Sequence, residues 1–201
     1  FGRQFYIWTA TAIFCGCGEH EVAESNAPST PPTPAVSTTL PKSNDPTVAS
    51  FLGLTAPKPV TWIEHPPTGS MRAANYTVPG RDGNEAAQIV VFYFGPTQGG
   101  TIDDNLNRWR LQFQLDENGD LPEPKIDRFE VGSMAVTLVE LAGAWQEMGT
   151  ASFTPDQVFL MAIVEAPVGR VFIRFAGQTA TVEANRDAFM EMILGLRKTP
   201  T

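Results

Sequence analysis

The chain has 201 residues, a formal net charge of −8 and two cysteines. This length accommodates one ordinary domain plus extensions. Lysine and arginine together number 14, against 22 aspartates and glutamates. Binding to nucleic acid and adsorption to anionic headgroups both need a cationic surface. The composition therefore argues against nucleic acid as a partner and against membrane attachment by charge alone.

The first residues have the pattern of an export signal. Arg3 precedes an uncharged, mostly apolar run over residues 5–14, which has the length of a signal-peptide core. The run is too short to cross a bilayer, because a spanning helix needs about 20 apolar residues. We expect residues 1–17 to be a signal peptide and the protein to be exported to the cell envelope.

Both cysteines follow this run, in the stretch Phe14-Cys15-Gly16-Cys17. The stretch resembles a bacterial lipobox, in which a small residue such as Gly16 precedes the modified cysteine. That resemblance implies a diacylglyceryl group on Cys17, and two or more acyl chains hold a protein stably on a membrane. A plain signal segment is an alternative. A metal or redox site with His20 is another, although structural zinc needs four ligands.

Residues 18–56 are rich in proline, serine, threonine and alanine. Such a segment buries too little apolar surface to offset its ordering entropy, so we expect a disordered tether. Phe51, Leu52 and Leu54 form a small apolar island that is able to dock on a domain. A spacer and a proline-rich ligand for a partner groove both fit this composition. The folded domain is expected over residues 57–201.

Strand patterns begin soon after residue 57. A short strand is predicted over 60–64, and the later strands occur in pairs around turn residues, as in hairpins. The predicted pairs are 71–78 with 86–94, 126–131 with 134–141, and 158–164 with 168–175. In the last run, Val171, Ile173 and Phe175 alternate with Phe172 and Arg174. One face of that strand is therefore apolar and the other is mixed.

Two amphipathic helices are predicted between and after the hairpins. Thr101 and Asp104 have the spacing of a capping box, and the apolar stripe that follows would face a sheet. The stripe consists of Ile102, Leu106, Trp109 and Phe113. The second helix is expected over 181–198, with acidic residues early and basic residues late. An antiparallel sheet of about six or seven strands, covered by two helices, predicts the α+β class.

The order of these elements resembles the PsbP-like fold. That fold includes an extrinsic photosystem protein, a Ran-binding import factor and bacterial lipoproteins of the DcrB and LpqN kinds. A set of short motifs is also similar to a family of uncharacterised exported bacterial lipoproteins, which implies export and no particular activity. The motifs are Trp62, Pro66-Pro67, Ser70-Met71-Arg72, Gly99-Gly100 and Asn105-x-Asn107-Arg108-Trp109-x-x-Gln112.

No strong catalytic pattern is present in the sequence. His65 is the one histidine of the expected domain, and a Ser-His-Asp triad needs a positioned histidine. The glycine-rich loop over 95–105 lacks the lysine of a phosphate-binding loop. The acidic stretch over 116–127 begins like a calcium loop but has Leu121 where glycine is required. We therefore expect no enzymatic activity, no cofactor and no metal.

Arg108 and Arg110 flank Trp109 in the first predicted helix. Trp109 can pack on the sheet while the arginines are solvated, or the arginines can form a contact surface for a partner. The sequence predicts a lipid-anchored envelope protein with a non-catalytic binding module for a protein or envelope component. The alternative is a small-ligand carrier or an accessory subunit of an envelope enzyme, with a pocket between sheet and helix.

Overall fold

The computed structural model describes residues 43–199. Within this range the chain forms ten strands and three helices. The strands are β1 (Val48–Phe51), β2 (Leu54–Pro57), β3 (Ile63–His65), β4 (Arg72–Val78), β5 (Ala87–Tyr93), β6 (Lys125–Val131), β7 (Met134–Trp145), β8 (Thr154–Ala166), β9 (Gly169–Gln178) and β10 (Arg197–Lys198). The helices are α1 (Ile102–Arg110), α2 (Thr179–Ala184) and α3 (Arg186–Leu194).

The larger sheet has seven strands in the order β3-β4-β5-β9-β8-β7-β6. All of its neighbouring strands are antiparallel. The three predicted hairpins are confirmed as β4–β5, β6–β7 and β8–β9. In the β6–β7 hairpin, Val131 pairs with Met134 across a two-residue turn, and Gly132 adopts the positive φ of 61° that such turns require. The α+β class with an antiparallel sheet is therefore confirmed.

Alternating residues of the sheet pack against different helices. Leu160 of β8 and Phe175 of β9 share a buried cluster with α3 residues such as Phe189. Phe159 of β8 and Phe172 of β9 share a second cluster with α1. We call these two sides the α3 face and the α1 face. The strand alternation predicted for β9 is thus confirmed, and each face is covered by helix.

The helix predicted over 181–198 is not continuous. Asn185 separates α2 from α3, and its side-chain amide donates to the carbonyl of Thr181 at 2.9 Å. The helix ends at Leu194, because the residues that follow form a strand that pairs with β2. Arg197 pairs with Thr55 in an antiparallel bridge that makes β10 part of a small sheet. The basic residues expected at the helix end therefore belong to a strand.

The domain begins earlier than the expected boundary at residue 57. β1 and β2 form an antiparallel hairpin, and with β10 they make a three-stranded sheet in the order β1-β2-β10. Ala49, Phe51, Leu54 and Ala56 are buried in the cluster of the α3 face. The tether prediction is therefore wrong for 48–56, because alternate residues of the hairpin are buried and the residues between them, such as Ser50 and Thr55, are half-buried.

The predicted strand over 60–64 also begins later, at Ile63, because Trp62 N–H closes a turn onto the carbonyl of Pro59 at 3.2 Å. Residues 1–42, which include Arg3, Cys15 and Cys17, lie outside the described residues. Among residues 43–199, no helix has the length and apolar character needed to span a membrane.

Candidate functional site

A cleft opens on the α1 face, between α1 and strands β5, β8 and β9. Its volume is about 320 Å³. Its lining includes five aromatic side chains, namely Phe92, Phe94, Trp109, Phe159 and Phe172. We call it the aromatic cleft.

The aromatic side chains hold one another in fixed orientations. Phe94 meets Phe172 edge to face at 5.4 Å between ring centroids. Trp109, on α1, lies 5.7 Å from Phe159 and 6.3 Å from Phe172. Edge-to-face and tilted pairs at these distances are favourable beyond the apolar area that they bury. The wall of the cleft is therefore preformed by contacts between the helix and the sheet.

Arg174 lies in the middle of this apolar surface. It occupies the centre of β9, opposite Val90 on β5 and Met161 on β8. The residue is only 9% exposed, and its Cζ lies 5.5 Å from the ring centre of Phe92 and 5.3 Å from that of Trp145. A charge in such surroundings is costly unless it is paired. The arrangement therefore requires a counter-ion.

That counter-ion is Glu147. Arg174 Nη2 donates to Glu147 Oε1 at 2.8 Å. Arg174 Nε is buried and has no hydrogen-bond partner within the described part of the chain. Burial lowers the pKa of Arg174, and the charge of Glu147 opposes that shift. The guanidinium stays protonated at neutral pH, with one of its inner donors unused.

Glu147 lies on the turn that joins β7 to β8, at the mouth of the cleft. Met148, the next residue, lines the cleft and is 78% exposed. The end of β7 is fixed to the residues after α1: Gln146 N–H donates to the carbonyl of Gln112 at 2.8 Å. Trp145 Nε1 donates to Gln112 Oε1 at 3.1 Å. The base of the turn is thus tied to the helix, whereas Met148 at its tip is open to solvent.

Arg108 supplies a second positive charge at the cleft. Its Nη2 donates to Asn105 Oδ1. Asn105 is 2% exposed and donates in turn to the carbonyls of Gly99 at 2.6 Å and Thr101 at 2.7 Å. The buried amide therefore connects the glycine-rich loop to the arginine. Arg108 also lines an adjacent cavity of about 260 Å³.

The structure separates the two arginines of the predicted contact surface. Positions two apart on a helix point about 200° apart, and only Arg108 lines the cleft. Arg110 Nε donates to the carbonyl of Pro122 at 2.9 Å. Its Nη2 donates to Glu123 Oε1 at 2.9 Å and to the carbonyl of Leu121 at 3.3 Å. Arg110 thus holds the segment 121–123 against α1.

Side chains of the glycine-rich loop and of the acidic stretch form hydrogen bonds with backbone groups of the same stretch. Thr101 Oγ1 accepts from Asp104 N–H at 3.1 Å and donates to Asp104 Oδ2 at 2.6 Å, which confirms the predicted helix cap. Asp116 Oδ1 accepts from the N–H groups of Asn118 and Asp120. The bond from Asp120 is the main cause that keeps the pKa of Asp116 below its ordinary value. Both stretches therefore form ordinary capped turns.

The other candidate residues lie apart from the cleft. His65 is exposed on the edge strand β3, where its Nε2 lies 2.9 Å from Thr77 Oγ1. Within residues 43–199, no group of three or more histidine, cysteine, aspartate and glutamate side chains is arranged to hold a metal ion.

The sequence placed Arg174 on a mixed strand face but did not identify it as a site residue. The signal was an arginine inside the apolar run VFIRFAG, where a charge needs a partner. Glu147 gave no such signal, because it lies in a polar turn 27 residues away in sequence. Their pairing follows from the register of β7, β8 and β9.

No protein-family model matches the chain, and no curated protein matches it. A match among solved structures is the crystal structure of PA94 from Pseudomonas aeruginosa, a protein of unknown function. It has 14% sequence identity and a TM-score of 0.44, and the match covers 70% of this chain and 99% of the other. A similarity at this level does not bear on function.

Proposed function

We propose that this protein is a non-catalytic binding protein whose aromatic cleft holds a small, mostly apolar molecule. The observation that carries the proposal is the cleft itself. Its volume of about 320 Å³ matches the lower end of the range of small-molecule sites, about 300–1,000 Å³. The lining is apolar with a few polar groups, as such sites require.

The polar groups of the lining favour binding over catalysis. They belong to Arg108, Gln112 and Arg174. Guanidinium and amide groups bind and orient, whereas nucleophilic and acid–base catalysis use hydroxyls, thiols, carboxylates and imidazoles. A small-ligand carrier is therefore better supported than an enzyme.

A concave site also favours a small ligand over a protein partner. Outside the cleft, the exposed large apolar side chains, such as Val60, Leu111 and Leu194, lie on different loops and helix ends. Exposed apolar residues that occur singly are ordinary on soluble proteins. The aromatic residues are instead gathered in the cleft, so the cleft is the better candidate for recognition.

The binding function is tested by titrating the full chain with the neutral fluorescent probe N-phenyl-1-naphthylamine. We expect saturable enhancement of its fluorescence. Phe94→Ala removes one aromatic wall, so it should weaken binding about fivefold or more. Leu194→Ala is the matched control, because Leu194 is an exposed apolar residue of α3. An unsaturable signal, or equal affinity of the Phe94→Ala variant and the wild type, would contradict the proposal.

We also propose that the protein is exported and anchored in the cell envelope through a lipid on Cys17. The support is the lipobox-like stretch and the proline-rich segment that follows it. Metabolic labelling with an alkyne fatty acid tests this. Cys17→Ala should abolish labelling, and Cys15→Ala should leave it intact. Equal labelling of the Cys17→Ala variant and the wild type would contradict the anchor.

The PsbP-like relationship is a proposal of the same kind. Its support is the element order, in which an antiparallel sheet of hairpins is followed by helical residues after its last long hairpin. Superposition on solved PsbP-like domains tests the proposal. It predicts the same strand order, with the C-terminal helix on the same face of the sheet. A different strand order would contradict it.

A further inference from the structure

The charges around the aromatic cleft specify its ligand further. Resting on the binding function proposed above, we propose that the ligand is an apolar organic anion. Its carboxylate binds Arg174 in place of Glu147, and its apolar body lies against the aromatic wall.

The charged side chains in the lining of the cleft are positive. The charged side chains that line the cleft are Arg108 and Arg174. Arg72 is close as well, with its Cζ 5.8 Å from the ring centre of Phe92. The chain as a whole carries a formal charge of −8, so a cluster of arginines at the cleft is opposite in sign to the net charge of the protein. A neutral apolar ligand has no need of such charges, whereas an anion is attracted by them.

Arg174 has a hydrogen-bond donor that Glu147 does not use. A guanidinium binds a carboxylate best through two parallel N–H groups. Arg174 contacts Glu147 through Nη2 alone, and its buried Nε has no partner within the described residues. A ligand carboxylate that bonds both Nε and Nη2 would satisfy the buried donor. It would therefore bind Arg174 better than Glu147 does.

Glu147 is the partner that is free to leave the ion pair with Arg174. Its side chain is 41% exposed, whereas that of Arg174 is 10% exposed. Glu147 belongs to the turn that also carries the exposed Met148. When the ligand enters, the Glu147 carboxylate returns to water, and the ligand carboxylate keeps the buried guanidinium neutralised. Because Glu147 is already partly solvated and one carboxylate replaces another, the exchange leaves no buried charge unpaired.

The apolar body of the ligand then has a defined place. Phe92 and Trp145 flank the Arg174 guanidinium, and Phe94 and Phe172 continue the wall beside Phe92. An aromatic ring or an acyl chain attached to the carboxylate would lie on these rings. Aromatic and aliphatic carboxylic acids would both bind in this way, so one of each is tested.

The test compares carboxylates with neutral analogues of the same shape by isothermal titration of the full chain at pH 7. The pairs are 2-naphthoate with 2-naphthalenemethanol, and decanoate with decanol. We expect at least one carboxylate to bind about tenfold more tightly than its alcohol, which is the effect of a charged hydrogen bond. Arg174→Gln should remove that difference.

Glu147→Gln gives the decisive variant, because it changes an exposed turn and leaves the buried arginine in place. Removal of the competing carboxylate should raise the affinity for the bound carboxylate about threefold or more, with no change for its alcohol. Glu183→Gln is the matched control. Glu183 is a similarly exposed acid, with a 46% exposed side chain paired to Arg186, and its loss should leave both affinities unchanged.

The outcomes separate the two proposals. If carboxylate and alcohol bind saturably with equal affinity, the anion specificity is wrong and the binding function stands. If Glu147→Gln lowers or does not change the carboxylate affinity, the exchange at Arg174 is wrong. If neither the four ligands nor N-phenyl-1-naphthylamine binds, the binding function itself is wrong. Should Arg174→Gln fail to fold, Glu147→Gln alone decides the inference.

Discussion

Arg174 and Glu147, 27 residues apart in sequence, form a 2.8 Å ion pair that joins a central strand to an exposed turn. The two partners differ in solvent exposure: the arginine side chain is 10% exposed and the glutamate side chain is 41% exposed. Burial of a charge costs free energy that a partly solvated partner offsets incompletely. A pair of this kind is weak evidence for a stabilising role, which is consistent with the proposed role of Arg174 in ligand binding.

Replacement of Arg174 by methionine tests this explanation through stability. Methionine keeps a long unbranched side chain among the aromatic rings and removes the buried charge, and Glu147 then returns to water. Because buried ion pairs are often replaceable by apolar residues without loss, we expect the free energy of unfolding to change by less than about 1 kcal/mol or to rise. Urea denaturation measures it. A loss above about 2 kcal/mol would show that Arg174 is structural.

Gly99 lies against Phe172 and Phe94, two aromatic side chains of the cleft wall. Its φ is +110°, and a Cβ at this position would lie 2.8 Å from Phe172 Cε2. Gly99→Ala should therefore lower the free energy of unfolding by about 1–3 kcal/mol and weaken probe binding by displacing Phe172. Gly83→Ala is the control, because Gly83 has a φ of +82° with nothing within 4 Å of its Cβ position. A control that weakens binding equally would refute the role of Gly99.

Arg108 and Arg110 should differ in their effect on carboxylate binding, because only Arg108 lines the cleft. Arg110→Ala leaves the carbonyls of Leu121 and Pro122 without their donor, so we expect a loss of about 1–2 kcal/mol in stability and no change in carboxylate binding. Arg108→Ala removes a cleft charge, so it should weaken carboxylate binding. It also leaves Oδ1 of the buried Asn105 without its donor, so a similar loss of stability is expected. Thermal unfolding and titration of both variants measure this. Loss of binding in Arg110→Ala alone would contradict the assignment.

The acid stability of the domain should depend on Glu183. Its hydrogen bonds with Arg186 hold the pKa of Glu183 below its ordinary value of 4.5. A depressed carboxylate pKa stabilises the fold above the unfolded pKa, and that contribution is lost as the pH falls through the folded pKa. Glu183→Gln should therefore lower stability more at pH 7 than at pH 3. Arg186→Met should reduce the same pH dependence. Equal losses at both pH values, measured by urea denaturation, would contradict this origin.

Local signals in the sequence sufficed for the hairpins and for the start of the first helix. The predicted stripe extended too far, because α1 ends at Arg110 and Phe113 forms an antiparallel bridge with Trp145. Gly132 and Ser133 specify a tight turn by backbone geometry alone, and Thr101 caps α1 through a residue only three positions away. The sequence missed β1 and β2 because Ala49 and Ala56 contribute little hydropathy although both are buried. β2 also pairs with β10, at the other end of the domain, and local patterns do not contain that pairing.

The site was less accessible to sequence analysis than the fold. Arg108 and Trp109 stood out because they are adjacent in one helix. Arg174 and Phe92 meet only because β5 and β9 are neighbours in the sheet, although their strands are far apart in sequence. Glu147 reaches Arg174 only after β7 and β8 have paired in their observed register. A site built across strands depends on register, which local patterns do not contain.

The most direct test of the central claim is the response of the tryptophan indole N–H signals of the 15N-labelled chain to 2-naphthoate. Trp109 lines the aromatic cleft and Trp145 stacks on Arg174, whereas Trp62 is buried on the α3 face. We predict saturable shifts of the Trp109 and Trp145 signals and no shift of the Trp62 signal. A shift confined to Trp62, or no shift with millimolar 2-naphthoate or with decanoate in its place, would contradict the account.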